Sequence, residues 1–422
     1  MKKIAAVHIC FMMIVNVLAL PSYAQNTETG TDYPFIFVHG MGGWAPNDPF
    51  YEISPYWGGG LSLFSDTDFI EMLNEKGYEV YAPSVGPLSS TWDRVCELYA
   101  QLMGTVVDYG AAHSQKHNHD RYGYSYEGKA IMGEPWDMQE KLNLVGHSFG
   151  APTIRLLTSL LAYGNAEEVA ATGNETSELF KGGYDDVIHS CVTLSGTNNG
   201  SSVANYIYDA KPLFYAISLM LNFAGATLGD YVIFSLQLGH FGIGPTQNEE
   251  RAKFDFKKIY NFYNAEDNCG YDMTLRGARE LNESIKLSPN TYYYSYTTAA
   301  TQKGEITGLQ IPIKTTSPIF YISSMMIAAT EGKTIDGIKM EGNWVVNDGI
   351  VPLASALYPL TDADTAKSYE DSIEKDEKIE TGRWYYMNTM FGTDHFDFCG
   401  TKDYPTTAED FYVGMAELVN SR

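Results

Sequence analysis

The run Gly146-His147-Ser148-Phe149-Gly150 reads G-x-S-x-G. A serine hydroxyl is a weak nucleophile near neutral pH. It needs an imidazole base within hydrogen-bond reach and a carboxylate to orient that base. Downstream of Ser148 the histidines are His189, His240 and His395. His395 sits in Gly392-Thr-Asp-His-Phe-Asp397, after a strand-like run and a glycine, where a loop can carry it over a sheet. His189 lies at the edge of a strand pattern, and His240 is the rival base. For the acid, Asp348 lies on a turn between apolar segments in Val346-Asn-Asp-Gly-Ile-Val351, whereas Asp394 adjoins His395 too closely to orient it. Ser148, Asp348 and His395 therefore form a candidate acyl-transfer triad. An oxyanion needs two backbone donors. The N–H after the nucleophile, Phe149, supplies one, and Met41 in the early glycine loop His39-Gly40-Met41-Gly42-Gly43 supplies the other.

A second cluster of chemistry-bearing residues is Asp93, His113, His117, His119 and Asp120. Carboxylate and imidazole together suit Zn²⁺, and four protein ligands make a closed structural site. His117 and His119 face one way in an extended loop, whereas His113 and His117 share a face in a helix. The pattern alone leaves that choice open.

The elements that must position these residues follow from periodicity. Lys141–Val145 predicts a buried strand before the serine, and Ile154, Leu157 and Leu161 recur at helical spacing after it. Strand, sharp turn and helix are what a nucleophile elbow requires. Pro34–Val38, Tyr78–Ala82, Val187–Leu194, Thr291–Thr297 and Trp384–Asn388 predict further strands, and Asp68–Lys76 a short helix. The alternation predicts an α/β-hydrolase fold, with a central, mostly parallel sheet flanked by helices. Residues 104–135 fit no sheet element and read as an insertion. In 200–250, the stretch Lys211–Ala224 places Leu213, Ile217, Met220, Leu221 and Ala224 on one broad helical face, which predicts a helical lid.

Met1-Lys2-Lys3, an apolar run from Ile4 to Leu20 and Pro-Ser-Tyr-Ala24 predict a signal peptide over 1–24, a polar lead-in over 25–32 and a main domain over 33–422. The expectation is export, to a periplasm or beyond the cell. With 28 basic against 52 acidic residues, the net charge is −24, which argues against nucleic acid and anionic membranes as partners. Past the leader, no apolar stretch is long and clean enough to span a membrane. Cys96, Cys191, Cys269 and Cys399 allow three full pairings, among which sequence does not choose.

Val85-Gly-Pro-Leu-Ser-Ser-Thr-Trp-Asp-Arg-Val-Cys-Glu-Leu-Tyr-Ala-Gln-Leu102, Thr105–His113 and Lys116-His-Asn-His119 closely resemble the zinc-containing secreted triacylglycerol lipases, the thermoalkalophilic bacillus-type and staphylococcal enzymes. Tyr56-Trp-Gly-Gly, Ser288-Pro-Asn-Thr-Tyr-Tyr-Tyr and Asn347-Asp-Gly-Ile-Val351 add to the likeness, which runs from about Pro34 to the C-terminus. The resemblance implies a lipid or ester substrate met at an oil–water interface. It implies Ser148, Asp348 and His395 as triad, and Met41 and Phe149 at the oxyanion positions. It also implies zinc on Asp93, His113, His119 and Asp267, and calcium near the catalytic histidine on Asp397 and Asp403. Phe149 departs from the family's usual glutamine, and Ser195-Gly-Thr-Asn-Asn-Gly200 replaces its Ala-Thr-Pro-His-Asp-Gly. A short-ester esterase and a silent binding module on the same fold are the rival expectations.

Overall fold

The computed structural model describes residues 32–48, 50–60, 67–209, 236–243, 256–400 and 407–422. The expected signal peptide, the lead-in up to residue 31, the lid helix over 211–224 and Asp403 lie outside them. Seven strands form the central sheet: β1 (Phe35–Val38), β2 (Val80–Tyr81), β3 (Leu142–His147), β4 (Ile188–Leu194), β5 (Tyr292–Tyr296), β6 (Lys367–Ser368) and β7 (Trp384–Tyr386). Their order is β6-β7-β5-β4-β3-β1-β2, and every pairing is parallel. The helices that matter here are α1 (Phe69–Glu75), α2 (Thr91–Met103), α3 (Ala111–His117), α4 (Gly150–Tyr163), α5 (Tyr321–Ala328) and α6 (Ala408–Asn420).

An all-parallel sheet must be covered on both faces. Alternate residues of β1 do this: Ile36 and Val38 enter one core with Val95, Leu98, Ile154 and Leu157 of α2 and α4. Phe35 and Phe37 enter the other with Phe69 and Leu73 of α1 and Tyr412, Met415 and Val419 of α6. The period-two alternation of a strand thus divides one short segment between two hydrophobic layers.

The predicted strands are present, trimmed by a residue or two at most ends. The edge strand β6, only Lys367–Ser368, has no sequence signal. The segment 104–135 does stand outside the central sheet, but it carries its own antiparallel pair, Val106–Asp108 with Tyr122–Ser125, around α3. That pair is short, and its second strand is exposed on alternate residues, so it lacks the long apolar run by which most of the other strands were legible. All four cysteines described are buried and free, and no disulfide occurs among the described residues.

Candidate active site and metal group

Ser148 sits between β3 and α4 with φ of 56°, in the left-handed region that non-glycine residues rarely adopt. The two glycines of the motif make this turn possible. A Cβ on Gly150 would lie 2.1 Å from the carbonyl oxygen of Val38, and one on Gly146 would lie 2.6 Å from Gly150. The turn therefore presses onto the neighbouring strand and onto itself at both points. Gly40 closes from the other side: a Cβ there would meet Ser148 Cβ at 2.7 Å. The glycine loop after β1 thus lies directly against the serine.

The structure brings Asp348 and His395 together. His395 Nδ1 lies 2.8 Å from Asp348 Oδ2, and the His395 backbone N–H donates to the Asp348 carbonyl at 3.0 Å. Asp348 Oδ1 accepts from the N–H groups of Ile350 and Val351 at 3.1 and 2.8 Å, and Thr298 Oγ1 donates to Oδ2 at 3.3 Å. The carboxylate is therefore fully solvated by donors while buried, the condition under which an anion is tolerated away from water. Among the described turns and loops, neither the Met41 nor the Phe149 N–H donates to a backbone carbonyl. Phe149 buries its ring in an apolar cluster with Leu88, Leu238, Ile243 and Phe262, and Met41 packs against that cluster.

Three supports had no sequence signal. Arg94 is fully buried. It donates to Thr153 Oγ1 at 3.0 Å, to the Gly86 carbonyl at 2.9 Å and to the His39 carbonyl, and its guanidinium lies 5.2 Å from the Phe149 ring centroid. It thus clamps the glycine loop to the helix that follows Ser148. Second, a relay runs beneath the serine. His147 Nε2 lies 2.9 Å from the His395 carbonyl, which only accepts, so Nε2 carries the proton. Its Nδ1 is then the acceptor for the Tyr56 hydroxyl at 2.6 Å, and that hydroxyl accepts from the Gly40 N–H at 2.9 Å. Third, His240, the rival base, is buried elsewhere, with Nε2 3.0 Å from Asp93 Oδ2.

His39 is likewise neutral: Nδ1 donates to the Gly40 carbonyl and Nε2 accepts from the Val85 N–H. Burial, with the charge of Arg94 next, pushes its pKa down from 6.5 to about 3. Burial first, then the His395 imidazole, holds His147 well below 6.5. In the unfolded chain both take up a proton below about pH 6.5, while the folded protein does not. Stability is thus present above that pH and falls as pH drops toward 3, each histidine adding up to about 1.4 kcal/mol per pH unit. The buried carboxyls of Glu97 and Asp272, pushed up by burial to about 8 and about 7, act in the opposite sense over the same interval. The share of His39 is therefore read as a difference: the fall in urea midpoint between pH 7 and pH 5 is expected to be smaller in His39→Gln than in the wild type, and identical pH profiles would contradict the assignment of this ring as neutral.

Asp93, His113, His119 and Asp267 offer one ligand atom each, and these four atoms lie within 4.8 Å of one another. Asp93 Oδ1, His113 Nε2, His119 Nε2 and Asp267 Oδ2 are all buried with no hydrogen-bond partner. They fit a metal ion: His113 Nε2 lies 3.3 Å from Asp93 Oδ1 and from Asp267 Oδ2, and His119 Nε2 lies 3.3 Å from Asp267 Oδ2. This is about the spacing between ligand atoms around one tetrahedral ion, while none of the four makes a well-directed hydrogen bond. Local folding explains the pattern that sequence left open. The helix α3 ends at Asn118 with φ of 59°, a left-handed residue that turns His119 back toward His113. His117, on the same helix as His113, stays outside the group, with Nδ1 3.9 Å from Asp267 Oδ2. Asp120 enters only through its backbone, donating to the His240 carbonyl. Asp397 lies two residues beyond His395, and its Oδ2 accepts from the Asp394 N–H at 2.7 Å, which braces that loop.

A parallel sheet whose central strand runs through a left-handed serine into a helix defines the α/β-hydrolase class. The chain belongs to the family described as "Lipase-like, C-terminal domain", which matches residues 31–421. It is 32% identical over 405 residues to Lipase 2 of Staphylococcus aureus, covering 95% of this chain and 54% of that protein. It is 32% identical over 413 residues to a lipase of Staphylococcus epidermidis, covering 94% and 55%. The chain therefore spans about half the length of these curated relatives. Among solved structures it is similar to EstA of Clostridium botulinum, with a TM-score of 0.79, 32% identity and coverage of 96% and 92%. It is also similar to the Staphylococcus hyicus lipase, with a TM-score of 0.76, 29% identity and coverage of 94% and 98%. Among the described residues no helix is long and apolar enough to cross a membrane.

Proposed function

We propose that the protein hydrolyses carboxylic esters of long-chain acyl groups, triacylglycerols foremost, through an acyl-enzyme. The observation that carries this is the 2.8 Å contact between His395 Nδ1 and Asp348 Oδ2 beside a serine held at positive φ. Ser148 Oγ attacks the ester carbonyl and His395 Nε2 takes its proton. Asp348 keeps the imidazole in the tautomer that leaves Nε2 free to act. The Met41 and Phe149 N–H groups stabilise the oxyanion. His395 then protonates the leaving alcohol, and water, activated by the same imidazole, releases the acid. The apolar cluster holding the Met41 and Phe149 side chains supplies a wall for the acyl chain. The names of the relatives, lipases and EstA, support the same chemistry.

The metal we assign is zinc, structural in role, since two imidazoles and two carboxylates fill four positions and leave none for substrate. Calcium on Asp397 and Asp403 rests on resemblance, and comparing thermal inactivation in calcium and in excess chelator tests it. Export rests on the leader-like 1–24. We read a lid over about 200–250 from the apolar stripe of the sequence at 211–224. Covering the site in water and opening at an oil surface, it should make the rate rise as an ester passes its solubility limit. A series of soluble short and emulsified long esters is the test. Equal cleavage of both forms would favour a soluble-ester esterase, and failure to label Ser148 with a serine-hydrolase probe would remove the enzyme reading.

A further inference from the structure

Against the loops that carry Asp348 and His395, the short helix α5 and the turn before it present an apolar face that no described element covers. Ile319, Tyr321, Ile322 and Met325 are 64, 40, 75 and 57% exposed. No other stretch of seven described residues exposes as many large apolar side chains. Ile319, Ile322 and Met325 recur every third residue, so they line one side of the helical segment. Scattered single apolar residues on a surface need no explanation, but a row of them does.

The opposite side of the same segment is fastened to the site. Phe320 packs edge-on to the His395 ring at 6.1 Å and stacks on Phe396 at 5.4 Å. Ser323 Oγ donates to the Gly349 carbonyl at 2.6 Å, one residue beyond Asp348. The Ser317 N–H donates to Asp394 Oδ2 at 2.6 Å, one residue before His395. The exposed row therefore lies one helix thickness outside the loops of the acid and the base. Its charge is as telling as its hydrophobicity. Residues 315–330 contain no Asp, Glu, Lys, Arg or His, in a chain of net charge −24. An anionic or cationic partner finds no complement on such a face, and the surrounding acidic protein repels an anionic one. An uncharged oil or zwitterionic lipid surface fits both properties.

We propose that this face of α5, with Ile319, Ile322 and Met325 as its anchors, is the surface by which the protein seats itself on an uncharged lipid–water interface. Seated there, it presents the His395–Asp348 side of the site to the interface. The proposal rests on the lipid-ester reading of that site and gives it a docking surface separate from any lid.

The test uses the full chain and oil droplets of a trialkylglycerol ether coated with phosphatidylcholine, which offer a lipid surface with no ester in the oil. Flotation measures how much protein binds. The triple variant Ile319→Ser, Ile322→Ser, Met325→Ser is expected to bind about tenfold more weakly or worse. Its melting temperature should be unchanged, and its rate on a dissolved short ester should stay within about twofold, since these side chains leave little water on folding. Ile322→Glu alone should weaken binding in the same direction. Wild-type protein should bind less when the coat contains phosphatidylglycerol. Equal droplet binding by wild type and both variants overturns the proposal. So does loss of fold in both variants, which would make the row part of the core. So does a wild-type dimer that becomes monomeric in the triple variant with droplet binding intact, which would assign the face to a second copy. A wild-type protein that binds droplets through this face yet cleaves no ester would remove the ester reading and leave the docking surface standing.

Discussion

Ser148→Ala is expected to lower kcat on a soluble ester by at least about 10⁴-fold while leaving the melting temperature unchanged. The serine lies on a turn whose strain comes from the backbone, and alanine occupies that turn as readily. His395→Ala should cost a similar factor, because without a base the hydroxyl keeps its proton. Asp348→Asn is the more discriminating variant. Its Oδ1 accepts from Ile350 and Val351, and an amide oxygen can keep those bonds. The amide nitrogen then faces His395 Nδ1 and favours the tautomer with the proton on Nε2, where the base must be free. A loss of about 10⁴-fold in kcat with little change in KM is the expected result. Near-normal turnover in His395→Ala would show that another group abstracts the proton. His240 is not positioned to do so, being 3.0 Å from Asp93.

Removing the metal should act on stability rather than on the chemical step. The four ligand atoms come from α2, α3, the second residue beyond α3 and Asp267, so one ion ties together segments far apart in sequence. An ion present at about a thousand times its Kd adds roughly 4 kcal/mol. For a chain of this size chelation should then lower the melting temperature by on the order of 5 °C or more. His119→Ala should give a similar drop and abolish the response to chelator, and elemental analysis should return one zinc per chain. Metal-free protein whose melting ignores both chelator and added zinc would sink the assignment. The two experiments separate cleanly: the serine variant loses rate without stability, and the chelated protein loses stability first.

What could be read from the sequence, and what could not, divides along a physical line. The elbow was legible because Gly146, Ser148 and Gly150 fall within five consecutive residues between a strand pattern and a helix pattern, although only Gly146 is demanded by the turn itself and Gly150 by Val38 of the neighbouring strand. Asp348 and His395 were legible because few downstream residues could serve, and each sits on a turn after an apolar run. The metal residues were visible as a cluster, but the pair of histidines was not, since the deciding event is the left-handed Asn118 between them. Arg94, Tyr56 and His240 were invisible as supports. Two of them act on backbone atoms of His39 and Gly40, which carry no side-chain identity, and their partners lie 55 and 16 residues away. His240 reaches Asp93 across 147 residues, so its role had no local pattern at all.

Asp93 and Arg94 are neighbours in the first turn of α2, and they face two different tasks: one points to the metal group, the other holds the loop beside Ser148. The insertion is therefore not a detachable module. An engineer who trimmed 104–135 to make a smaller hydrolase would take His113 from Asp93 and both His113 and His119 from Asp267, leaving two buried carboxylates with His240 as their remaining imidazole neighbour, and the adjoining Arg94 would shift with Asp93. A lineage shedding the metal would face the same obstacle, because the helix turn that gives up the ion must simultaneously find a new anchor for the glycine loop. The ligand group and the glycine loop are in this sense tied through one helix turn.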